Sequence, residues 1–258
     1  MLDRLWSQIK EEAEEAVVND PFLRPSFENA ILKFENFGAA LAHRLAGKLV
    51  FDDLGWAQIE SIAREAFKTD LSILEKAGRD IIATVDRDPS CHRFLEPFMF
   101  FKGFQALQVY RLTHYYWHNR RKDLARLLQM RNSEVFTFDS HPAARIGGGV
   151  MFDHAHSIVI GETAVIEDNV SILHSVTLGG TGKEDGDRHP KIGSGVMIGA
   201  GAKVLGNVKV GKCSRIAAGS VVLDDVPANS TVAGIPAKIV GEAGCSDPAG
   251  SMNQFFAK

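Results

Sequence analysis

"IGSGVMIGAGAKVLGNVKVG", residues 192–211, carries an aliphatic side chain at every sixth position: Ile192, Ile198, Val204 and Val210. The series continues through Ile216 and Val222, and upstream it runs through Ile160, Ile166, Ile172 and Leu178. Two positions before these stand small or aliphatic residues: Ile158, Ala164, Val170, Val176, Val196, Ala202, Val208, Ser214 and Ser220. A period of six does not fit a helix of 3.6 residues per turn, nor plain two-residue strand alternation. It suits a parallel β-helix, in which each short strand points one aliphatic residue inward and then turns a corner. Gly161, Gly179, Gly193, Gly199 and Gly211 follow aliphatic positions and let the chain turn without side-chain clashes. One hexad buries nothing alone, so the length of the series is what carries the reading.

The series breaks in two places. From Leu178 to Ile192 the gap is 14 residues, eight more than a hexad. The insertion, inside "GGTGKEDGDRHPKIGSG" (179–195), holds Lys183, Glu184, Asp185, Asp187, Arg188 and His189. The second break is a slip of two residues, from Ile158 to Ile160, just after Asp153-His154 in "IGGGVMFDHAHSIVIG" (146–161). Excursions at the corners of a regular scaffold are tolerated and carry function. Arg188 offers a planar fork for a carboxylate. His189 can donate or accept, and Pro190 stiffens the return. The plain alternative for the loop is a solvated surface excursion. The plain alternative for Asp153-His154 is a capped corner with a hydrogen-bonded histidine. The chemical reading makes His154 a base whose ordinary pKa, near 6.5, suits removal of a hydroxyl proton at neutral pH. Such a base needs a partner to fix its tautomer.

The rest of the chain reads differently. Five of its 24 glycines precede residue 139, and 17 lie between 139 and 241. The first half reads as helices. "DRLWSQIKEEAEEAVV" (3–18) sets Leu5, Ile9, Ala13, Ala16 and Val17 on one stripe. A second helix is expected from Ser26, as N-cap, to a stop at Gly47. Two more cover 53–67 and 70–85 and break at "DRDPS" (86–90). The aromatic run 94–130 reads as one or two buried helices. The expected division is a helical domain at 1–138, a β-helix at 139–241 and a flexible tail at 242–258.

Net charge is −3 with 24% charged residues, which gives no nucleic-acid footprint. No apolar run approaches the ~18 residues of a membrane helix, and the acidic N-terminus is unlike a signal peptide. Cys91, Cys213 and Cys245 fit neither a disulfide framework nor a zinc knuckle, so a reducing cytoplasm is the expected home. "GGTGK" is not a phosphate-binding loop, because Thr177 and Glu184 occupy the places of its first Gly and its Ser/Thr. Nothing near Cys213 looks like an activating histidine, so a covalent acetyl-cysteine is set aside.

"IGETAVIEDNVSILHSVTLGG" (160–180) and "IGSGVMIGAGAKVLGNVKVG" resemble the hexapeptide-repeat acyltransferases. "DSHPAARIGGGVMFDHAHSIVIGETAVI" and "SVTLGGTGKEDGDRHPKIGSGVMIGAGAKVLGN", after a helical domain, resemble the serine O-acetyltransferases within that family. The resemblance covers most of residues 20–241. It implies a left-handed parallel β-helix, an exception to the usual right-handed crossover. It implies acetyl transfer from acetyl-CoA to the hydroxyl of L-serine, as the first step of cysteine biosynthesis, with feedback inhibition by L-cysteine. Acetyl-CoA is then a co-substrate, with no tightly bound cofactor and no metal. The resemblance makes His154 the general base and Asp139 its orienting partner. It gives the serine ammonium to Asp88 and Asp153, and the carboxylate to Arg188 and His189 across a subunit boundary. Gly180, Ala200 and Ala218 are expected along pantetheine, with Arg215 and Lys238 toward the nucleotide phosphates. A homotrimer or dimer of trimers is expected. In relatives a tail ending in Ile enters O-acetylserine sulfhydrylase; this sequence ends in Lys258, so no stable complex with that enzyme is expected.

Three other readings were weighed. The γ-class carbonic anhydrases share the fold, but their HxxxxH spacing is not found among His141, His154, His156, His174 and His189. His141 and His174 read as structural, and His156 is given no catalytic role. An acyltransferase for a sugar or another alcohol would not need Asp88 in "DRDPS". A structural β-helix with a dead site would not keep Asp139, His154, Arg188 and His189 together.

Overall fold

A computed structural model describes residues 1–182 and 185–255. The first half is helical: α1 (Leu2–Asn19), α2 (Arg24–Phe27), α3 (Phe37–Leu49), α4 (Trp56–Thr69), α5 (Ser72–Arg87), α6 (Leu95–Met99), α7 (Lys102–His118) and α8 (Lys122–Phe136). The stripe read on α1 is its buried side. The single helix expected from Ser26 to Gly47 is instead interrupted. A π-helical turn, Glu28–Leu32, ends it, and α3 starts afresh with Asn36 as N-cap, accepting the Ala39 amide at 2.9 Å. Ser26 lies within α2 and caps nothing; the helix that runs to Leu49 is capped by Asn36, whose side chain satisfies an amide of its first turn.

Among the described residues, fifteen short strands follow in about five coils. One face stacks β1 (Phe138–Ser140), β4 (Ile158–Ile160), β7 (Thr177–Gly179), β10 (Lys203–Leu205) and β13 (Val221–Val222). The second stacks β2 (Arg145–Ile146), β5 (Val165–Ile166), β8 (Lys191–Ile192) and β11 (Lys209–Val210). The third stacks β3 (Met151–Phe152), β6 (Ser171–Ile172), β9 (Met197–Ile198), β12 (Arg215–Ile216), β14 (Ser230–Gly234) and, antiparallel, β15 (Ala237–Glu242). The hexad residues become three internal columns: Ile160-Leu178-Val204-Val222, Ile146-Ile166-Ile192-Val210 and Phe152-Ile172-Ile198-Ile216-Val232. All are buried. Each buried aliphatic side chain contributes about 1.5–3 kcal/mol by leaving water.

The register locates both breaks. A regular coil advances 18 residues, as from Ile160 to Leu178 or Val204 to Val222. From β7 to β10 the step is 26, from Leu178 to Val204, and the surplus is the charged loop. From β1, β2 and β3 to the strands above them the step is 20, as from Phe152 to Ile172. From β4 to β7 it is 18, so the two extra residues lie between Phe152 and Ile158. That corner holds Asp153 and His154.

The helices press on this end of the β-helix. At the start of α7, Gly103 lies so close to the Phe152 carbonyl that a β-carbon there would overlap it. A buried ion pair ties the two parts. Arg111 of α7 donates to Asp80 of α5 at 2.6 Å and to the carbonyls of Ile146 and Gly147, while Asp80 accepts the Val150 amide at 3.0 Å. Beyond β15 the segment expected to be flexible is in part docked. α9 (Pro248–Ser251) has Pro248 and Ala249 buried, and the Ala249 carbonyl accepts from Ser171 Oγ at 2.9 Å. Apolar contacts and paired carbonyls outweigh its loop-like composition. The terminal Ala257 and Lys258 lie outside the described residues.

Candidate active site

His154 sits on strained backbone. Within the corner 153–157, His154 (φ 56°), Ala155 (φ 52°) and Ser157 (φ 54°) are all left-handed. The same corner in later coils needs one such residue each: Ser175, Gly201 and Gly219. Left-handed non-glycine residues cluster where surrounding structure over-determines them. Here the effect is to lift the imidazole outward, with its side chain 70% exposed.

The histidine overlooks a cavity of about 270 Å³ between α5, α7 and β3, lined by Asp88, Ser90, Lys102, Asp153, His154 and His156 among others. Asp153 Oδ1 lies 3.7 Å from His154 Nε2, beyond a hydrogen bond but close enough for charge to be felt. Asp88 is the C-cap of α5, and its Oδ1 accepts from the Ser90 amide (2.9 Å) and hydroxyl (2.7 Å). Burial pushes the Asp153 carboxyl above its usual range and the charge of Asp88 adds to this, while His154, His174 and a backbone bond oppose it. Two carboxylates that disfavour each other's charge are completed by a cation between them. Lys102 Nζ donates to the Phe136 carbonyl and to His156 Nδ1, each at 2.9 Å. His156, set aside on sequence, therefore lines the same cavity.

Arg188 and His189 occupy a different corner, where the chain passes from the first face to the second. His189 is 7% exposed. Its ring lies flat on Gly161, where a β-carbon would overlap it, and Nε2 approaches Gly180. Burial, then Arg188, lowers its pKa. The Arg188 guanidinium donates to Glu162 Oε2 at 2.8 Å and to the Gly186 carbonyl at 3.1 Å. That bond holds the Glu162 carboxyl below its usual range. In one chain, then, the two half-sites stand at opposite ends of the first face. At about 3.3 Å per residue a six-residue side spans up to roughly 20 Å.

The remaining sequence candidates separate. Asp139 is on β1, beside Val159, and accepts from Gln129 Nε2 at 2.8 Å. Among the described residues no ion pair joins it to His154, so the chain alone does not assemble that expected dyad. Ala200 and Ala218 lie on the same corner as His154, coils above it, with the Gly219 amide donating to the Ala200 carbonyl at 2.8 Å. Gly180 belongs to the loop corner instead. Arg215 is buried and engaged: it donates to Thr231 Oγ1 and to the carbonyls of Asn253 and Phe255. The docked tail thus covers a cation that the sequence reading gave to phosphate. Lys238 is exposed and 3.8 Å from Asp224. No group of His, Cys, Asp and Glu suited to a metal occurs among the described residues.

The helical start, the coil stack and the two interrupted corners are matched in known proteins. The family profile for the serine acetyltransferase N-terminal region matches residues 5–109, and that for bacterial transferase hexapeptide repeats matches 189–224. A serine acetyltransferase of Haemophilus influenzae is 51% identical over 252 residues, covering 98% of this chain and 94% of its own. The chain belongs to the serine acetyltransferase family. The Escherichia coli K12 serine acetyltransferase is 49% identical, covering 99% of this chain and 93% of its own. A solved serine acetyltransferase in complex with cysteine superposes with TM-score 0.97 at 50% identity, each chain covered in full. One from Brucella abortus in complex with coenzyme A superposes at 0.92 with 51% identity, covering 95% of this chain and 98% of that one. Membership makes this chain an acyltransferase that uses acetyl-CoA as co-substrate. Sequence reasoning missed the Asp80–Arg111 pair and Thr163, whose Oγ1 accepts the amides of Arg188 and His189. The signal for Thr163 was its place two residues past Gly161, opposite the inserted loop.

Proposed function

We propose that this acetyltransferase joins two half-sites from neighbouring subunits of a trimer around one L-serine. The observation that carries this is the placement of the two interrupted corners at opposite ends of one β-helix face. A rotation that sets one copy's loop corner against the next copy's His154 corner closes a ring. Asp88 and Asp153 hold the serine ammonium, and Arg188 and His189 of the next copy hold its carboxylate. Arg188 exchanges its bond to Glu162 for the substrate.

His154 takes the proton of the serine hydroxyl as the oxygen attacks the thioester carbon. The tetrahedral species collapses, the carbon–sulfur bond breaks, and the imidazolium returns its proton to the coenzyme A thiolate. O-acetylserine and CoA result. The exposure of His154 supports the role, since the nitrogen that shuttles the proton must be reachable by the substrate. Asp139 fixes this imidazole only once the oligomer is assembled. The stacked corner at Ala200 and Ala218 offers backbone groups to pantetheine, with Gly180 of the facing copy opposite and Lys238 further along toward the phosphates. Cysteine has the same ammonium and carboxylate as serine with a thiol for the hydroxyl, so it competes for the pocket. No described helix is long and apolar enough to cross a membrane. The free thiols of Cys91, Cys213 and Cys245 favour a reducing, cytoplasmic setting. The test is thiol release from acetyl-CoA against a panel of amino-acid and sugar alcohols, with cysteine as inhibitor. Serine should be the preferred acceptor, with cysteine competitive against it. A sugar alcohol turned over faster than serine would overturn the reading.

A further inference from the structure

His189 can act as a base only if one ring nitrogen is unprotonated and reachable. The surroundings of Nδ1 decide the matter. The Thr163 backbone amide points at Nδ1 from 3.2 Å, and an amide only donates. Thr163 Oγ1 lies 2.9 Å from the same nitrogen. That oxygen already accepts two amides, from Arg188 at 3.0 Å and His189 at 3.1 Å. Both lone pairs are used, so this oxygen meets Nδ1 as a donor, its hydrogen shared between Nδ1 and the neighbouring Asp187 carboxylate, which Lys191 Nζ also holds at 2.5 Å.

From this we infer that Thr163 fixes His189 as the tautomer protonated at Nε2. His189 thereby presents a permanent N–H donor, not a base, to the amino-acid carboxylate beside Arg188. The inference rests on the proposed placement of that carboxylate and names the positioning residue behind it. Chemically it separates the two histidines. His154 stands 70% exposed on its side chain, with no hydrogen-bond donor at its ring among the described residues. At His189 a proton on Nδ1 would face two donors. The surroundings agree: burial first, then Arg188, Lys191 and His141, disfavour imidazolium, against the charge of Glu162. Nε2 lies against Gly161 and near Gly180, with the Arg188 side chain beside it.

Two substitutions and one spectroscopic measurement test this. Thr163→Val keeps shape and loses the hydroxyl, whereas Thr163→Ser keeps the hydroxyl and loses the methyl. Losing a bond of about 0.5–1.5 kcal/mol changes binding by roughly two- to tenfold. The valine variant should raise KM for serine by about that factor and leave KM for acetyl-CoA unchanged. The serine variant should restore KM for serine. Nitrogen chemical shifts of ¹⁵N-histidine-labelled full-length oligomer, with His189 assigned by His189→Asn, should show Nε2 protonated and Nδ1 bare. A protonated Nδ1, an unimpaired valine variant, or a serine variant as impaired as valine would overturn the inference. If serine were not the acceptor at all, the kinetic arm would fail while the nitrogen shifts still decided the tautomer.

Discussion

The two interrupted corners of the β-helix solve opposite problems. At 153–157 the insertion is short, and its strain is stored in three left-handed residues. At 181–190 it is long, and its end is pinned by hydrogen bonds to Thr163 and Glu162. The first corner leaves its histidine 70% exposed on the side chain, and the second buries its histidine to 7%. A proton carrier needs one nitrogen open to the substrate, and a recognition group needs one fixed donor. Backbone strain positions a side chain without using up its polar atoms; hydrogen bonding positions it by using them.

His154→Ala tests that contrast with the largest effect. It should lower turnover by roughly 10²–10⁴-fold, the size of a general acid–base contribution, with oligomer and circular dichroism unchanged. The corner's backbone does not depend on the imidazole, so near-normal turnover would remove His154 from the chemistry.

Next is the support under the first corner. Asp80 and Arg111 have side chains only 1% and 3% exposed, and they join α5 and α7 to the first coil. Asp80→Ala leaves a buried guanidinium unpaired and should cost about 3–5 kcal/mol in denaturant unfolding. Arg188→Ala, at the exposed loop corner, should cost far less stability. Equal losses would mean that the corners are not supported differently.

The third prediction asks whether the corners meet only between copies. Equal mixtures of His154→Ala and Arg188→Ala chains, after subunit exchange, should regain about one intact site in four by random assembly of a cyclic oligomer. No recovery after proven exchange would put both residues in one chain's site.

Much of this was legible beforehand, for physical reasons. The inward columns were readable because each hexad residue occupies an equivalent position, so period alone identified them. Both insertions were readable as arithmetic departures from six. What escaped depends on partners distant in sequence. Asp80 and Arg111 looked like ordinary helix charges until folding buried them together. Asn36 took a cap that the apolar stripe gave no reason to place there. The tail composition suggested mobility, yet the carbonyls of Ala249, Asn253 and Phe255 meet Ser171 and Arg215. Asp139 was paired with His154 by resemblance, and one chain places it against Gln129 instead.

The smallest effect on stability sharpens the contrast at Asp153. Its carboxyl is held above the usual range, by burial first and Asp88 second. A raised carboxyl pKa contributes stability that is fully present below the unfolded value, near 3.9, and lost as pH rises through the folded value. At pH 7 the ionised Asp153 therefore weakens the fold. Asp153→Asn should unfold at a slightly higher temperature than the parent at pH 7, and the advantage should vanish as pH falls toward 4. Function should move the other way. Losing a charge-assisted bond to the serine ammonium, worth about 1.5–3 kcal/mol, should raise KM for serine by roughly ten- to a hundredfold. The parent's own kcat/KM for serine should fall with acid at a higher pH than an ordinary aspartate would dictate, because ammonium binding needs the ionised form. A variant less stable than the parent at pH 7 would mean that Asp153 is satisfied in the empty pocket. The strain at this corner would then lie in the backbone alone.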